Sequence, residues 1–122
     1  MISFKNKRVF KLHRSKGYAK QVNDLLIEGE TIIDSYRSMR DGIVFTNKRI
    51  IVVNVQGVIG KKVDYTSIPY NKISIFSVET AGTFDLDAEL DIFVSSLGKI
   101  KFEFTGFSNI IEISKHIAQH CI

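Results

Sequence analysis

The stretch from Asp41 to Gly82 decides the fold: DGIVFTNKRIIVVNVQGVIGKKVDYTSIPYNKISIFSVETAG. Short runs of β-branched and aromatic residues alternate here with turn signals, namely Thr46-Asn47, Gln56-Gly57, Pro69 and Ala81-Gly82. Such a pattern is typical of antiparallel strands joined by short loops. A further turn signal, Asp41-Gly42, predicts a tight reversal before the second strand.

Seven strands are predicted in all, within residues 30–105. They cover 30–39, 43–45, 49–55, 62–68, 72–79, the later half of 84–94, and 99–104. The segment 49–55 is apolar at nearly every position, so we expect a central strand that is covered on both faces. The last two strands alternate strictly, with acids outward on one and lysines outward on the other, which predicts facing charge pairs across a hairpin.

Two amphipathic helices are predicted around these strands. In 17–28, Tyr18, Val22, Leu25 and Leu26 recur at helical spacing, and their stripe needs a cover, either the chain's own sheet or the same surface of another copy. In 108–121, with Ser108 as N-cap, the apolar side holds Phe107, Ile110, Ile111, Ile113, Ile117, Ala118 and Cys121. This second helix is predicted to close the core. Residues 1–16 lack a sustained period and are interpreted as a basic segment that is irregular, with a short helix as the alternative for part of it.

The length of 122 residues fits a single domain spanning 1–122. The one cysteine excludes an internal disulfide framework, and the sequence contains no long apolar run, so a cytoplasmic protein is expected. The net charge of +4 is uneven, because residues 1–20 hold seven basic residues and no acid. Such a segment is either a solvated end or a contact for an anionic partner.

The order of seven strands followed by one amphipathic helix is that of a pleckstrin homology (PH) domain. Several motifs in fixed order resemble the standalone bacterial PH domain family, namely DGIVFTNKRII from Asp41, GVIGKK from Gly57, YTSIPY from Tyr65, FSVETAG from Phe76 and DLDAEL from Asp85. The resemblance covers about residues 17–120 and implies a mainly β (α+β) fold. In it, a seven-stranded sandwich or partly open barrel is plugged by the C-terminal helix, with an additional N-terminal helix. It also implies ring-shaped homo-oligomers, no established enzymatic activity and an unidentified ligand.

Motifs that resemble chemical sites do not meet the requirements of those sites. His116, His120 and Cys121 do not converge on one helix face, and GVIGKK lacks the spacing and the hydroxyl residue of a phosphate loop. The acids Asp85, Asp87, Glu89 and Asp91 alternate along a strand, whereas a calcium loop wraps its ligands around the ion. We therefore expect no catalytic residue, no metal site, no cofactor and no enzymatic activity.

The leading hypothesis is a binding or scaffold domain that self-assembles, with Tyr18, Val22, Leu25 and Leu26 as the contact between copies. The alternative is peripheral binding to anionic membrane lipid through the basic N-terminal segment together with Arg37, Arg40, Lys61 and Lys62. Another protein is a further candidate partner. Nucleic acid ranks below these partners, because the body of the chain lacks a dense basic surface with interleaved aromatic residues.

Overall fold

Strands make up most of the computed structural model, which describes residues 1, 9–57, 59, 62–80, 82 and 87–121. The elements in chain order are β1 (Val9–Arg14), α1 (Ala19–Val22), a 3₁₀ turn (Asn23–Leu25), β2 (Ile32–Arg37), β3 (Asp41–Thr46), β4 (Arg49–Gln56), β5 (Lys62–Pro69), a 3₁₀ turn (Tyr70–Lys72), β6 (Ile73–Glu79), β7 (Ala88–Val94), β8 (Gly98–Phe104) and α2 (Ile110–Cys121). The seven predicted strands are thus confirmed as β2 to β8.

The strands form one curved sheet in the order β5-β4-β3-β2-β1-β8-β7-β6. Neighbours from β2 to β5 and from β6 to β8 pair antiparallel, as the short loops require. The strand β1 joins the two groups, since it is antiparallel to β2 at His13 and Arg14 and parallel to β8 along Val9–Leu12. The result is the half-barrel of a PH-like fold, and the predicted fold class is confirmed.

The strand β1 corrects the prediction that residues 1–16 are irregular. Residues 2–8 lie outside the described part of the chain, but Val9–Arg14 is a strand. Leu12 is buried in the main core, whereas Lys11 and His13 on either side are exposed. This inward and outward alternation is that of a half-buried strand, although it lasts for too few residues to stand out in the sequence.

The strand β4 is covered on both faces, as predicted. Ile50 and Val52 point into the main core, which they share with β6, β7, β8 and α2. Ile51 and Val53 point the other way, into a second cluster that includes Tyr18 and Val22. These four side chains of β4 are all fully buried. The segment that carries Tyr18 and Val22 is therefore the cover of the outer face of the sheet.

That covering segment is shorter than the helix predicted for 17–28. The α-helix is Ala19–Val22, and a 3₁₀ turn continues it to Leu25, after which Leu26 is extended with φ −71° and ψ 141°. Asn and Asp, at 23 and 24, are weak helix formers because their side chains compete for backbone hydrogen bonds. The Leu25 carbonyl instead accepts a hydrogen bond of 2.8 Å from Arg49 Nη2, which favours the early end of the helix.

Asp41-Gly42 is not the reversal that was predicted. Both residues lie in β3, where Gly42 is opposite Arg37, and the chain turns through 38–40. Gly42 is needed for a close approach, since a Cβ there would lie 2.2 Å from Tyr18 Cδ2. The missing side chain lets the Tyr18 ring lie directly on the strand. Gly57, by contrast, has φ +82° in the turn after β4, a conformation that L side chains rarely adopt.

The helix α2 closes the main core, as predicted, through Ile110, Ile113 and Ile117. Ile111 and Phe107, which were assigned to its apolar side, are exposed. Phe107 precedes the helix, and the residue directly before the first turn is Asn109, not the predicted Ser108. Asn109 ties the start of α2 to β2, as its backbone N–H donates to Tyr36 Oη at 2.9 Å and its Nδ2 to Asp34 Oδ2 at 2.9 Å.

The charge pairs predicted across the last hairpin are present. Lys101 Nζ lies 2.9 Å from Glu89 Oε1, and Lys99 Nζ lies 3.5 Å from Asp91 Oδ2. These pairs are on the outer, solvated face of β7 and β8, where ion pairs contribute little to stability.

Candidate binding surfaces

The first candidate surface is the end of the sheet where two loops meet. Arg40, in the β2–β3 loop, donates from Nη1 to the Gly57 carbonyl at 3.1 Å, and its own carbonyl accepts from Val55 N–H at 2.9 Å. These bonds place the β2–β3 loop against the loop that follows β4. We name the group of Met39, Arg40, Ile59 and Lys62 at this end the loop-tip surface.

The loop-tip surface combines apolar and basic side chains. Met39 is 91 % exposed and Ile59 is 95 % exposed, so both apolar side chains face solvent almost completely. Arg40 and Lys62 are exposed on the same loops. Exposed apolar residues beside cations are a composition suited to the interface of an anionic bilayer.

The structure separates the four basic residues that the sequence grouped as anion contacts. Arg40 and Lys62 are both at the loop tips, and Lys61 lies outside the described residues. Arg37 has a different environment, because its guanidinium carbon lies 5.3 Å from the centroid of the Tyr18 ring. This cation–π contact holds Arg37 on the cover formed by α1.

The second candidate surface is at the β6 end of the sheet. There β6 pairs with β7, and in the described part of the chain its other side has no strand partner. Ile75 is 66 % exposed and lies opposite Phe93 of β7, which is 40 % exposed. We name Ile75 and Phe93, together with the outer edge of β6, the β6-edge surface.

A β-bulge explains why an isoleucine of β6 points to solvent. The register shifts between Ile73 and Ile75, so Ile73, Phe76 and Val78 face the core and Ile75 faces out. An extra residue in one strand reverses the faces of the side chains on either side of it. The sequence contains a weak signal of the bulge, because the apolar positions change phase between Ile75 and Phe76, but the prediction of a regular strand over 72–79 did not include this surface.

The stripe predicted as a contact between copies is mostly used within the chain. Tyr18 and Val22 are buried against β3 and β4, and Leu26 is partly buried in the same cluster. Leu25 remains exposed, next to the exposed Ile27. Of the two covers considered for this stripe, the chain's own sheet is therefore the one found for Tyr18 and Val22.

The buried carboxylate of Glu30 serves the fold. Arg49 donates to it twice, from Nε to Oε2 at 2.9 Å and from Nη2 to Oε1 at 3.0 Å, while Thr46 Oγ1 donates at 2.6 Å and Ile27 N–H at 3.1 Å. Burial raises the pKa of Glu30, but the hydrogen bonds from Arg49 and Thr46 outweigh it and hold the pKa below its ordinary value. Both oxygens are thus occupied by structural donors.

The histidines of α2 do not gather into a ligand set within the described residues. His120 Nδ1 is 2.8 Å from the carbonyl of His116, and the His120 ring lies 5.4 Å from that of Tyr70. His116 Nε2 is 3.7 Å from Glu112. Across the described ranges, no group of three or more His, Cys, Asp or Glu side chains is placed to hold a metal ion. The side chain of Cys121 and the whole of Asp85 fall outside those ranges.

No helix in the described ranges has the length and the apolar run that crossing a bilayer requires.

Two buried tyrosines, Tyr36 and Tyr70, have raised pKa values, chiefly because of burial. Both hydroxyls donate to protein acceptors: Tyr36 to Asp34 Oδ2 and Tyr70 to the Thr46 carbonyl. These tyrosines are core residues with satisfied hydroxyls.

Comparison with known proteins places the chain among bacterial PH domains. The model of the family described as "Bacterial PH domain" matches residues 3–121. Two relatives come from Bacillus subtilis (strain 168): the uncharacterized protein YjqA is 45 % identical and covers 84 % of both chains, and the uncharacterized protein YozO is 35 % identical over 92 % of this chain and 96 % of its own.

Solved structures agree with this assignment. The chain is similar to a DUF1696 family protein with a pleckstrin-homology domain from Shewanella loihica, with a TM-score of 0.72 and 38 % identity over 93 % of this chain and 99 % of that one. It is also similar to a pleckstrin homology domain from Shewanella amazonensis, with a TM-score of 0.59 and 42 % identity over 85 % of each chain. The chain belongs to the bacterial PH domain family.

Proposed function

We propose that the chain is a non-enzymatic binding domain that associates with further copies of itself through the β6-edge surface. The observation that carries this proposal is the exposed pair of Ile75 and Phe93 next to a strand edge. Exposed apolar side chains grouped on a soluble domain usually mark an interface. A strand edge adds backbone N–H and C=O groups that pair readily with another strand.

Burial of the two exposed side chains contributes part of the free energy of association. Full burial of an isoleucine or a phenylalanine contributes about 1.5–3 kcal/mol each, and the exposed fractions here are 66 % and 40 %. Covering both residues therefore contributes roughly 2–3 kcal/mol, which is a factor of about 30 to 150 in affinity. Copies joined through two different surfaces close into rings or continue as filaments, whereas a two-fold contact stops at a dimer.

The proposal that the chain is not an enzyme is supported by the hydrogen bonds of the buried acid Glu30. Glu30 is saturated by Arg49, Thr46 and a backbone N–H, so it has no free acceptor for a proton transfer. Family membership and relatives without an assigned activity agree with this interpretation. A cytoplasmic location is part of the same proposal, since the chain has one cysteine and therefore lacks the internal disulfides that are common in small secreted domains.

Light scattering of the purified chain tests self-association. We expect a mass of at least twice 13.8 kDa for the wild type, and a smaller mass for Ile75→Asp, because a carboxylate at the interface would have to be desolvated. Ile59→Asp is the matched control, as it places the same charge on a 95 % exposed isoleucine outside the β6-edge surface. A wild-type monomer at high concentration, or equal masses for the two variants, would refute the proposal.

A second candidate function is peripheral binding to an anionic membrane through the loop-tip surface. The observation in its favour is that Arg40 holds the two loops together, which puts Met39 and Ile59 beside cations. Each basic residue near an anionic bilayer contributes on the order of 1 kcal/mol, so the attraction falls with added salt.

Co-sedimentation with vesicles of phosphatidylserine and phosphatidylcholine tests this candidate. We expect salt-sensitive binding that Ile59→Asp weakens and Ile75→Asp leaves unchanged, so the same two variants separate the two functions. Failure of the wild-type chain to sediment with acidic vesicles at low salt would eliminate the membrane function. That result would leave self-association untouched.

A further inference from the structure

A depression of about 330 Å³ lies where the β1–β2 ladder ends, away from both candidate surfaces. The ladder pairs His13 with Arg37 and Arg14 with Tyr36, and its last bond joins Ser15 N–H to the Ser35 carbonyl at 3.1 Å. Beyond this point the chain turns away toward α1 and leaves a gap beside β2. The residues that line the gap are Arg14, Ser15, Lys16, Asp34 and Ser35.

Arg14 is held in place from two sides. Its Nε donates to Asp34 Oδ1 at 3.2 Å, and its guanidinium carbon lies 5.2 Å from the centroid of the Phe107 ring. The side chain is nevertheless 50 % exposed. Among the described residues, no hydrogen bond uses its two Nη groups, so they keep their donors for a ligand. An arginine already fixed in one orientation loses little side-chain entropy when it binds an anion.

Asp34 orients this arginine without filling the gap. Its Oδ1 also accepts from Ser35 N–H at 2.9 Å, and its Oδ2 accepts from Tyr36 Oη at 2.6 Å and Asn109 Nδ2 at 2.9 Å. The carboxylate is therefore turned toward β2 and the start of α2. Its charge is balanced by Arg14, which leaves the ammonium group of Lys16 as the excess charge of the lining.

The hydroxyls of the lining are also fixed. Ser35 Oγ donates to the Ser15 carbonyl, and Ser15 Oγ accepts from Gly17 N–H at 3.1 Å. These bonds define the shape of the turn that carries Lys16. The depression thus has a rigid wall and two cations.

We propose that Arg14 and Lys16 form a binding site for an oxyanion, that is, a carboxylate or a phosphate group. The parallel N–H donors of an arginine fork match two oxygens of either group, and Lys16 is the second cation of the lining. The Phe107 ring, over which the Arg14 guanidinium lies, is 66 % exposed, so an apolar substituent on the anion has a surface to contact. This site is separate from the loop-tip and β6-edge surfaces.

An amide NMR titration of the whole chain tests the site, with sodium phosphate and sodium acetate as probes and sodium chloride at equal ionic strength as reference. We expect shifts confined to residues 14–17 and 34–35 with at least one of the two probes. The probe that binds more tightly assigns the group as phosphate or carboxylate. Shifts no larger than those with chloride, for both probes, would overturn the proposal.

Variants identify the cations. Arg14→Gln is expected to lower the affinity for the better probe about tenfold and Lys16→Gln a few fold, as expected for the loss of charge-assisted hydrogen bonds. Lys16→Gln leaves the contacts of Asp34 intact, so it remains informative if Arg14→Gln unfolds. Lys115→Gln, an exposed lysine of α2, is the control and should bind as the wild type does. Wild-type affinity in both Lys16→Gln and Arg14→Gln would show that the site is elsewhere.

Discussion

Replacing Gly42 with alanine is expected to displace the Tyr18 ring from the outer face of the sheet. The new Cβ would lie 2.2 Å from Tyr18 Cδ2 and 2.6 Å from Cε2, whereas ordinary contacts of a Cβ are 3.4–4 Å. The ring is packed in the cluster with Val44, Ile51 and Val53, and Arg37 lies over it at 5.3 Å. It cannot move away from the strand without losing part of this packing.

The expected loss of stability follows from two opposing effects. Overpacking a well-packed cluster costs about 1–3 kcal/mol. Alanine in a strand is in turn more favourable than glycine by about 0.5–1 kcal/mol, because glycine loses more backbone entropy on folding, and Gly42 is not in the left-handed region. We therefore expect Gly42→Ala to lower the free energy of unfolding by about 1–2 kcal/mol.

Urea unfolding followed by circular dichroism measures this loss, and Tyr18 provides the control. Tyr18→Ala alone should cost about 3 kcal/mol, since it removes a buried aromatic side chain. In the Tyr18→Ala background the clash is gone, so Gly42→Ala should be neutral or slightly stabilising. The double-mutant cycle should then give a coupling of about 2 kcal/mol. Additive effects, or a Gly42→Ala variant as stable as the wild type, would refute the close packing of α1 on β3.

Three other predictions concern the core and its buried polar groups. Arg49→Met should lower the free energy of unfolding by about 2–3 kcal/mol at neutral pH, which is less than for a deeply buried pair because Arg49 is 23 % exposed. In urea titrations this loss should become smaller as the pH falls, because Glu30 then takes up a proton. Since the pKa of Glu30 is lowered in the folded chain, its contribution is present above the ordinary value of 4.5 and is lost as the pH falls through the folded value. Ile113→Ala should cost about 2–5 kcal/mol in the same assay, whereas Ile111→Ala, on the exposed side of α2, should cost well under about 1 kcal/mol. Burial raises the pKa of Tyr36, so stability should be complete below its ordinary value of 10.0 and fall above it, and alkaline unfolding of Tyr36→Phe should depend less on pH.

The sequence predicts best those strands whose own residues indicate which faces are buried and where the strand ends. The run Ile50–Val53 leaves no polar face, so both faces of β4 had to be covered, and the structure supplies α2 with the main core on one side and Tyr18 with Val22 on the other. Pro69 ends β5, where its missing N–H does not interrupt a ladder, because β5 is at one end of the sheet. Such local signals were enough for the fold class.

The features that the sequence does not predict depend on partners far away in the chain. The strand β1 pairs in parallel with β8, about ninety positions later, and its six residues include Lys11, His13 and Arg14, so neither its pattern nor its position indicates a strand. Phe107 was placed on the apolar side of α2 by a helical projection that does not apply to it, since the helix begins only at Ile110. The projection failed at that end and succeeded at Ile113 and Ile117.

The candidate sites were predictable only in part, for the same reason. Arg40 is a visible basic residue, but its bond to Gly57, 17 positions later, is what assembles the loop-tip surface. Arg14 pairs with Asp34, 20 positions later, and the acid orients it without a signal in the sequence. Ile75 is exposed by a bulge, which depends on how β6 pairs with β7. In each case the sequence gives the residue type but not the distant residue that it contacts.

The two ends of the sheet differ in a way that bears on how copies would associate. At β5, Lys62 begins the strand and Pro69 ends it, so charge and a missing N–H discourage pairing there. At β6, Ile75 is exposed beside the strand edge. If β6 pairs only with β6 of another copy, the contact is two-fold and the assembly stops at a dimer, whereas a ring needs β6 to meet a different surface. The mass of the wild-type assembly therefore distinguishes the two arrangements, since a mass twice that of the chain indicates a two-fold contact and a larger one indicates a second surface.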